Sequence, residues 1–438
     1  MDKVEDLGRF ALFGGQKVRS EPYPIHTTNI SDEEIDAVVS ILKGGHLSGF
    51  SARPGERFGG GSAVKGFEEA LSAKFEISRA VTFNSATSAL HASLAAIGVG
   101  PGDEVITTPT TMSATASAIV MCNAIPVFAD IGADDFCISP EIAESLVNER
   151  TKAIVVVNIF GRPAKLTKLR EIADRHNIYL IEDNAQAPGI RTEEGHLCGT
   201  VGHLGILSFN YHKSIQTGEG GAVLCWDEEL YEKLRLIRNH AEVVVGPAKV
   251  KDLINMIGWN YRMTEMQAAL GMEQLKRLDF MNGKRQELAA ELKQQLARIE
   301  FLETESTNAQ FHGWYMFPMK FKEKLAGISR AQFAEIIRAE GVSISEGYVK
   351  PIYLEPMYQN RIAYGDQGCP FSCQYYGGVT KYDPGLCPVA EEFYFKTLLL
   401  TDICKFPNSE REVIEFSDAI SKVQDNLSAL KRKYTDGG

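Results

Sequence analysis

The sequence has few cysteines, no excess of basic residues and no long apolar run. Its 438 residues include eight cysteines, too few for a disulfide scaffold, and several lie within apolar runs, which predicts buried, reduced thiols. Acidic residues outnumber basic ones, 57 against 46, so the basic surface typical of nucleic-acid binding is not indicated. No stretch approaches the roughly 20 apolar residues of a membrane span. These properties exclude a secreted disulfide-rich domain and predict a protein without membrane or nucleic-acid partners.

The remaining composition is that of a soluble globular protein. Hydrophobic residues make up 44% and charged residues 24% of the chain, and the opening MDKVEDLGRF has no apolar signal-peptide core, which predicts a cytoplasmic location. Cys369, Cys373 and Cys387 form the tightest group of cysteines. They have no neighbouring histidine and no paired C-x2-C spacing, so loop and core cysteines are favoured over a zinc site.

From about residue 80 the chain alternates short apolar runs with amphipathic helical stretches. The runs at 153–157 and 178–181 show almost no polar alternation, which is typical of strands covered by helices on both faces. The alternation predicts a largely parallel α/β sheet, with ligands at the carboxyl ends of its strands. Residues 206–226 interrupt the pattern and are predicted to form a strand, a glycine-rich loop and a second strand.

The last third of the chain has a second α/β pattern. Helical spacing over 264–278 and 284–296 is predicted to lead into it, and it contains strand candidates at 315–317 and 342–344 and a helix candidate at 330–338.

We therefore expect an N-terminal arm at 1–30, a large domain at 31–275 and a smaller domain at 276–438. The segment from about 356 to 390, rich in Gly, Tyr, Pro and Cys, is predicted to be a long irregular loop.

One lysine, Lys213, lies between a predicted strand and the glycine run 218–221. An isolated lysine is usually a solvated surface charge, and with a pKa near 10.4 its amine is protonated at neutral pH. A lysine becomes a nucleophile when it is desolvated, and Schiff-base formation with an aldehyde cofactor is the commonest use of such a site. The position of Lys213 favours this use.

Two other strand ends carry residues suited to a cofactor with a pyridine ring and a phosphate. Asp183 ends one apolar run. A carboxylate there would raise the pKa of a pyridine nitrogen by roughly 1–3 units and so keep the nitrogen protonated. A helix cap by Asp183 or Asn184 is the structural alternative. The run 84–90 places small hydroxylated residues at a helix start, where amides and hydroxyls can bind phosphate, or merely cap the helix. Rossmann, P-loop and serine-elbow motifs are missing.

Together these motifs resemble the DegT/DnrJ/EryC1/StrS family of pyridoxal-phosphate sugar aminotransferases. The resemblance extends over about residues 10–280 and implies an aspartate-aminotransferase-like fold (fold type I), with a large, mixed, mostly parallel sheet domain and a smaller C-terminal α/β domain. The matching segments are Leu12-Phe13-Gly14-Gly15, 84–90, 100–106, Glu182-Asp183-Asn184-Ala185-Gln186, 208–213, 218–221 and Asn260-Tyr261-Arg262-Met263.

The resemblance assigns roles to individual residues. Lys213 would hold pyridoxal 5′-phosphate as a Schiff base, Asp183 would face the pyridine nitrogen, and Gln186 would lie near the ring hydroxyl. The phosphate-binding residues would be Ala86, Thr87 and Ser208.

Four further residues have implied roles that local structure could also explain. Asn260 matches the family asparagine that reaches the phosphate in the neighbouring subunit, which implies a homodimer with shared active sites; a turn asparagine is the alternative. Met112 stands where relatives usually have an aromatic residue over the ring, and its thioether can cover a ring face with less defined geometry. His212 and Arg262 are candidate substrate contacts, with structural roles as the alternatives.

The resulting hypothesis is amino transfer from L-glutamate or L-glutamine to a keto-sugar, nucleotide-linked or free, or to a related cyclitol ketone. The acceptor is expected against 53–62, 240–250 and the loop after Tyr348. The family's dehydratase branch has histidine in place of the lysine, so the retained Lys213 favours amino transfer. A sugar dehydratase and a non-catalytic regulatory protein on the same fold remain the alternatives.

Overall fold

The computed structural model describes residues 7–24 and 30–435. A seven-stranded sheet forms the larger part, in the order β1-β7-β6-β5-β4-β2-β3. Its strands are β1 (Arg79–Phe83), β2 (Glu104–Thr107), β3 (Ile125–Phe128), β4 (Thr151–Val157), β5 (Tyr179–Asp183), β6 (Leu204–Ser208) and β7 (Gly221–Cys225). The pairs among β2 to β6 are parallel, whereas β7 is antiparallel to both β1 and β6. The predicted mixed, mostly parallel α/β sheet is confirmed.

Helices cover both faces of this sheet, as the apolar strands predict. Along β4, Ile154 and Val156 enter one apolar core, and Ala153 and Val155 enter the core on the opposite face. The helices are α1 (Asp32–Gly44), α2 (Ser62–Lys74), α3 (Ala86–Ala96), α4 (Ala114–Met121), α5 (Pro140–Ser145), α6 (Leu166–Arg175), α7 (Glu228–Arg238), α8 (Glu265–Lys276), α9 (Leu278–Leu296), α10 (Glu323–Ala326), α11 (Arg330–Ala339), α12 (Pro356–Gln359), α13 (Pro388–Glu392), α14 (Glu410–Asp425) and α15 (Leu427–Thr435).

The strand, loop and strand predicted at 206–226 are β6, the connection 209–220 and β7. Because no crossover helix intervenes, β7 returns antiparallel to β6. The connection therefore starts at the carboxyl end of β6, where Lys213 lies. Asp183 ends the neighbouring parallel strand β5 at the same edge of the sheet.

The C-terminal part forms a separate antiparallel sheet in the order β10-β11-β9-β8. Its strands are β8 (Leu302–Thr304), β9 (Phe317–Phe321), β10 (Ser345–Glu346) and β11 (Leu398–Thr401). The helix predicted at 330–338 is confirmed as α11, but the strand expected at 342–344 begins only at Ser345. Val342 and Ile344 are buried in the apolar core of this unit, whereas Ser345 and Glu346 make the strand pairing with β11.

Residues 7–24 pack against this C-terminal unit. Phe10 is fully buried in its core, and the Arg19 guanidinium forms ion pairs with Glu412 and Glu415 of α14. Residues 1–6 and 25–29 of the expected N-terminal arm, and 436–438 of the expected small domain, lie outside the described residues.

The segment predicted as an irregular loop contains α12, α13 and a long connection without helix or strand between them. Tyrosines attach this connection to the edge of the large sheet. The Tyr376 hydroxyl donates to Glu104 Oε1 of β2 at 2.9 Å, and the Tyr382 hydroxyl donates to the Pro126 carbonyl of β3 at 2.9 Å. The loop therefore covers the β3 edge.

The cysteines are all free, and the described residues contain no cluster of three or more metal-ligating side chains. Over the same residues, no helix has both the length and the apolar character needed to span a membrane.

Candidate active site

The side chain of Lys213 is partly buried, and its Nζ lies 4.5 Å from the centroid of the Tyr315 ring. Burial lowers the pKa of Lys213 to about 8; the Asp183 carboxylate opposes this shift, and the charges of Arg285 and Lys405 add to it. About a tenth of the amine is therefore neutral at pH 7, a far larger share than in an exposed lysine.

Asp183 is the last residue of β5 and is only 6% exposed. Its Oδ2 accepts a hydrogen bond from Thr115 Oγ1 at 3.0 Å, and its Oδ1 accepts one from the Ala185 amide at 3.2 Å. Burial raises the pKa of Asp183, while the Ala185 amide, the Lys213 charge and Thr115 act in the opposite direction. No helix begins in the connection 184–203, so the helix cap considered as an alternative for Asp183 or Asn184 is not formed. The carboxylate is held by the Ala185 amide of this connection and by Thr115 of α4.

The start of α3 offers unpaired donors next to β6. Ser85 caps the helix, and the amides of Ala86 and Thr87 have no acceptor within the part of the chain that the structure describes. Gly221 pairs with Ser208 in the sheet, and a Cβ atom on Gly221 would lie 2.5 Å from the Ala86 nitrogen. Glycine at this position thus allows the strands to approach the helix. We call the Ala86 and Thr87 amides together with the Ser208 hydroxyl the phosphate cradle, because helix N-termini with free amides bind anions.

Gln186 follows Asp183 at the same edge of the sheet and is buried. Its Oε1 accepts a hydrogen bond from the Phe160 amide at 2.7 Å, and its Nε2 donates to the Tyr348 hydroxyl at 3.2 Å. The amide nitrogen retains a second hydrogen for a ligand. Tyr348 lies just after β10 in the C-terminal unit. The bond therefore links the connection after β5 to the C-terminal unit close to Asp183.

The side chains of Asn260 and Arg262 contact each other. Asn260 Oδ1 accepts from Arg262 Nε at 2.8 Å, and Arg262 Nη1 donates to Asn239 Oδ1 at 3.4 Å. Asn260 is exposed and forms an isolated β-bridge with Asn239 rather than a turn. Its carbonyl accepts from Asn84 Nδ2 at 3.4 Å, so this segment lies beside the start of α3. The structure thus places Asn260 near the phosphate cradle of its own chain and directs the polar contacts of Arg262 to asparagines.

Met112 and His212 occupy less enclosed positions. Met112 lies in the turn before α4 and is 59% exposed. His212 is half-buried, with its ring edge-on to Tyr211 at 4.9 Å. Burial, aided by the charges of Lys213 and Lys405, lowers the pKa of His212 to about 4, so its imidazole is neutral at physiological pH.

Sequence reasoning missed five residues of this site. Thr115 could have been found, since it lies three residues after Met112, and its hydroxyl is 3.1 Å from that of Thr111. The others belong to α9 or to the C-terminal unit, where no motif marks them: Arg285, Tyr315, Tyr348 and Lys405.

These residues fit pyridoxal phosphate. Lys213 supplies an amine with a lowered pKa, Asp183 a buried carboxylate, and the phosphate cradle a set of anion-binding donors, all at one edge of the sheet. This is the donor set that an aldehyde-bearing pyridine phosphate requires.

Comparison with known proteins identifies the family. The model of the DegT/DnrJ/EryC1/StrS aminotransferase family matches residues 30–385. The chain is 35% identical over 373 residues to L-glutamine:2-deoxy-scyllo-inosose aminotransferase from Streptomyces kanamyceticus, covering 82% of this chain and 86% of that protein. It is 32% identical over 366 residues to spore coat polysaccharide biosynthesis protein SpsC from Bacillus subtilis, covering 82% and 91%.

A solved structure agrees with this match over nearly the whole chain. The aminotransferase from Psychrobacter cryohalolentis superimposes with a TM-score of 0.78 at 28% identity, covering 94% of this chain and 100% of that chain. The chain therefore belongs to the DegT/DnrJ/EryC1/StrS aminotransferase family and is a pyridoxal-phosphate-dependent aminotransferase.

Proposed function

We propose that this enzyme transfers the amino group of L-glutamine or L-glutamate to the ketone of a sugar or cyclitol in amino-sugar biosynthesis. The observation that carries the proposal is Lys213, an amine with a pKa of about 8 beside the buried carboxylate of Asp183. The relative named for 2-deoxy-scyllo-inosose and L-glutamine supports both the acceptor class and the donor. A nucleotide-linked keto-sugar belongs to the same chemical class.

Each residue of the site has a part in holding the cofactor. The phosphate cradle would bind the phosphate, Gln186 would donate its remaining amide hydrogen to the ring oxygen, and Asp183 would pair with the ring nitrogen. Thr115 would orient Asp183, because its hydroxyl fixes one carboxylate oxygen. When bound, pyridoxal phosphate supplies an electron sink for the negative charge that develops on the donor's α-carbon.

Lys213 would have two tasks. It would attach the cofactor covalently and, once displaced by the donor amine, its free amine would carry the proton to and from the reacting carbon. A pKa of about 8 suits such a base, because proton transfer is most efficient when the pKa is close to the working pH. The Tyr315 ring, 4.5 Å from Nζ, would restrict where the amine can point.

The acceptor would bind against the segments 53–62 and 240–250 and near Tyr348. Asn239, which directly precedes the segment 240–250, links it to the region of 53–62. Its Nδ2 donates to the carbonyls of Ser51 at 3.1 Å and Phe58 at 3.2 Å.

We further propose a homodimer formed through the segment 243–259. Its exposed apolar side chains, each 41–67% exposed, are Val243, Leu253, Ile254, Ile257 and Trp259. Exposed apolar patches of this kind are typical of protein interfaces. Asn260 directly follows this segment and lies beside the start of α3, so each phosphate cradle would adjoin the interface, as shared active sites require. Sedimentation should give a dimer for the wild-type protein and a monomer for Ile257→Asp; a monomeric wild-type protein would contradict the proposal.

The test of the function compares wild-type protein with Lys213→Ala, using Lys396→Ala as a control because Lys396 is exposed on the C-terminal unit. Transfer of labelled nitrogen from L-glutamine to a panel of keto-sugars and inososes should occur with the wild type and the control. In Lys213→Ala, both transfer and the visible absorption of the lysine-bound cofactor should be lost. Loss of a sugar hydroxyl without nitrogen transfer would indicate a dehydratase, and cofactor binding without either reaction would indicate a regulatory protein.

A further inference from the structure

The three cysteines that are grouped in the sequence separate in the structure. Cys387 is 1% exposed just before α13, and its thiol donates to the Phe128 carbonyl of β3 at 3.8 Å. Cys369 and Cys373 are partly exposed in the connection between α12 and α13. The remaining cysteines of the chain are buried: Cys122, Cys137, Cys198, Cys225 and Cys404. Cys369 and Cys373 are therefore the cysteines that a reagent in solution can reach.

A short turn brings these two thiols together. The Ser372 amide donates to the Gly368 carbonyl at 3.0 Å, and the Cys373 amide donates to the Pro370 carbonyl at 3.3 Å. Across this turn, the Cys369 thiol donates a hydrogen bond to the Cys373 sulfur. Two cysteines can be bridged without backbone movement only when their side chains approach each other, as these do.

Phe371, midway between the cysteines, attaches the turn to the rest of the protein. Its side chain is 4% exposed, and its ring centroid lies 6.0 Å from that of Tyr358 and 5.8 Å from that of Tyr382. The turn thus buries its central ring and leaves a partly exposed thiol on each side. A bond between the two thiols would close a ring of five residues around this anchor.

The surroundings of the two thiols differ. The Tyr375 amide, the Cys369 thiol and the Gln374 amide donate hydrogen bonds to the Cys373 sulfur, and these bonds lower the pKa of Cys373. The thiol–thiol bond raises the pKa of Cys369, because Cys369 is its donor. The thiolate is the nucleophile in thiol–disulfide exchange, so Cys373 is placed to attack first and Cys369 to complete the bond.

A structural zinc site does not account for this pair. Within residues 7–24 and 30–435, Cys369 and Cys373 belong to no group of three or more metal-ligating side chains. A structural zinc ion is almost always held by four protein ligands, so two thiols in contact favour redox chemistry over metal binding.

We infer that Cys369 and Cys373 form a redox-sensitive dithiol, which a low-molecular-weight disulfide such as glutathione disulfide converts to an intrachain disulfide. The Cys373 thiolate attacks one sulfur of glutathione disulfide, and one glutathione thiolate leaves. The Cys369 thiolate then attacks Cys373 Sγ in the mixed disulfide, and the second glutathione thiolate leaves. The protein dithiol is thereby oxidised, glutathione disulfide is reduced to two glutathione molecules, and these take up the two protons that the cysteines release.

The disulfide would strengthen the attachment of this connection to the β3 edge of the large sheet. Closing the five-residue ring restricts the chain once it detaches, and a disulfide stabilises mainly by restricting such open states. Tyr376 and Tyr382, which hold the connection on β2 and β3, follow Cys373 closely in the sequence. The oxidised form should therefore open less often than the reduced form.

The experiment uses the full chain, first reduced and then equilibrated with glutathione disulfide. Under native conditions, maleimide should label two thiols of the reduced wild-type protein and neither of them after oxidation, and peptide mass spectrometry should find Cys369 bonded to Cys373. Cys369→Ser should accumulate one glutathione on Cys373, whereas Cys373→Ser should take up glutathione at least tenfold more slowly. Tyr375→Phe keeps both thiols and the backbone amide, so this control should behave as wild type.

Limited proteolysis tests the structural consequence. Cleavage within 374–387 should be at least threefold slower in the oxidised than in the reduced wild-type protein, and glutathione disulfide should not slow it in Cys373→Ser. Equal cleavage of the two wild-type forms would show that the bond does not strengthen the attachment, against the inference.

Three results with glutathione disulfide would overturn the inference outright. These are a wild-type protein whose two thiols remain reduced, a disulfide that joins two chains instead of two residues of one chain, and equal rates of glutathione uptake by Cys369→Ser and Cys373→Ser. None of these measurements depends on amino transfer, so their outcome is separate from that of the proposed function.

Discussion

Replacement of Lys405 by methionine should stabilise the fold. Methionine keeps a long flexible stem but removes a partly buried charge that forms no salt bridge within residues 7–24 and 30–435. Substitution of desolvated charges by apolar residues of similar size often stabilises a protein.

The magnitude follows from the pKa of Lys405, about 8 in the folded protein against an ordinary value of 10.5. Below pH 8 the lysine is protonated in both the folded and unfolded states, and the desolvation cost is fully present. At roughly 1.36 kcal/mol per pKa unit, this cost is about 3 kcal/mol at pH 7. Between pH 8 and 10.5 the folded protein loses the proton first, so the cost falls to about 1 kcal/mol at pH 10 and vanishes at higher pH.

Urea unfolding of the cofactor-saturated proteins at pH 7 and pH 10 measures this difference. The free energy of unfolding of Lys405→Met should exceed that of wild type by up to about 3 kcal/mol at pH 7 and by about 1 kcal/mol at pH 10. Lys396→Met, which replaces an exposed lysine, should match wild type at both pH values. Equal or lower stability of Lys405→Met at pH 7, or a gain that does not depend on pH, would refute the reasoning.

Three further substitutions test the site and its frame. Thr115→Val removes the 3.0 Å hydrogen bond to Asp183. Because hydrogen bonds to charged groups contribute roughly 1.5–3 kcal/mol, we expect kcat to fall about 10–100-fold. The circular dichroism spectrum should be unchanged, and Thr115→Ser should restore kcat. Gly221→Ala would place a Cβ atom 2.5 Å from the Ala86 amide nitrogen at the start of α3. The Kd of pyridoxal phosphate, measured by fluorescence titration, should therefore rise at least tenfold. A Kd equal to that of wild type would contradict the phosphate cradle. Tyr376→Phe removes a donor to the Glu104 carboxylate and should increase proteolysis of the 360–387 connection, whereas Tyr375→Phe, at a 66% exposed position, should not.

The sequence by itself determined the large sheet and the parts of the site that lie in contiguous motifs. Uninterrupted apolar runs identified β4 and β5 because strands buried on both faces have no polar alternation. Lys213 and Asp183 could be selected because each lies at or shortly after the end of a predicted strand, and the carboxyl ends of parallel strands face the ligand. Family motifs then connected these separate strand ends to one cofactor.

Only the tertiary structure decided which residues surround these motifs. The register of β6 with β7 places Ser208 beside the start of α3, and this depends on pairing between strands far apart in the sequence. Arg285 and Lys405 have no local pattern that distinguishes them from surface cations, because their desolvation beside Lys213 exists only once α9 and the turn after β11 meet there. Charge compensation is a property of three-dimensional neighbours, and the chain must fold before it can be assessed.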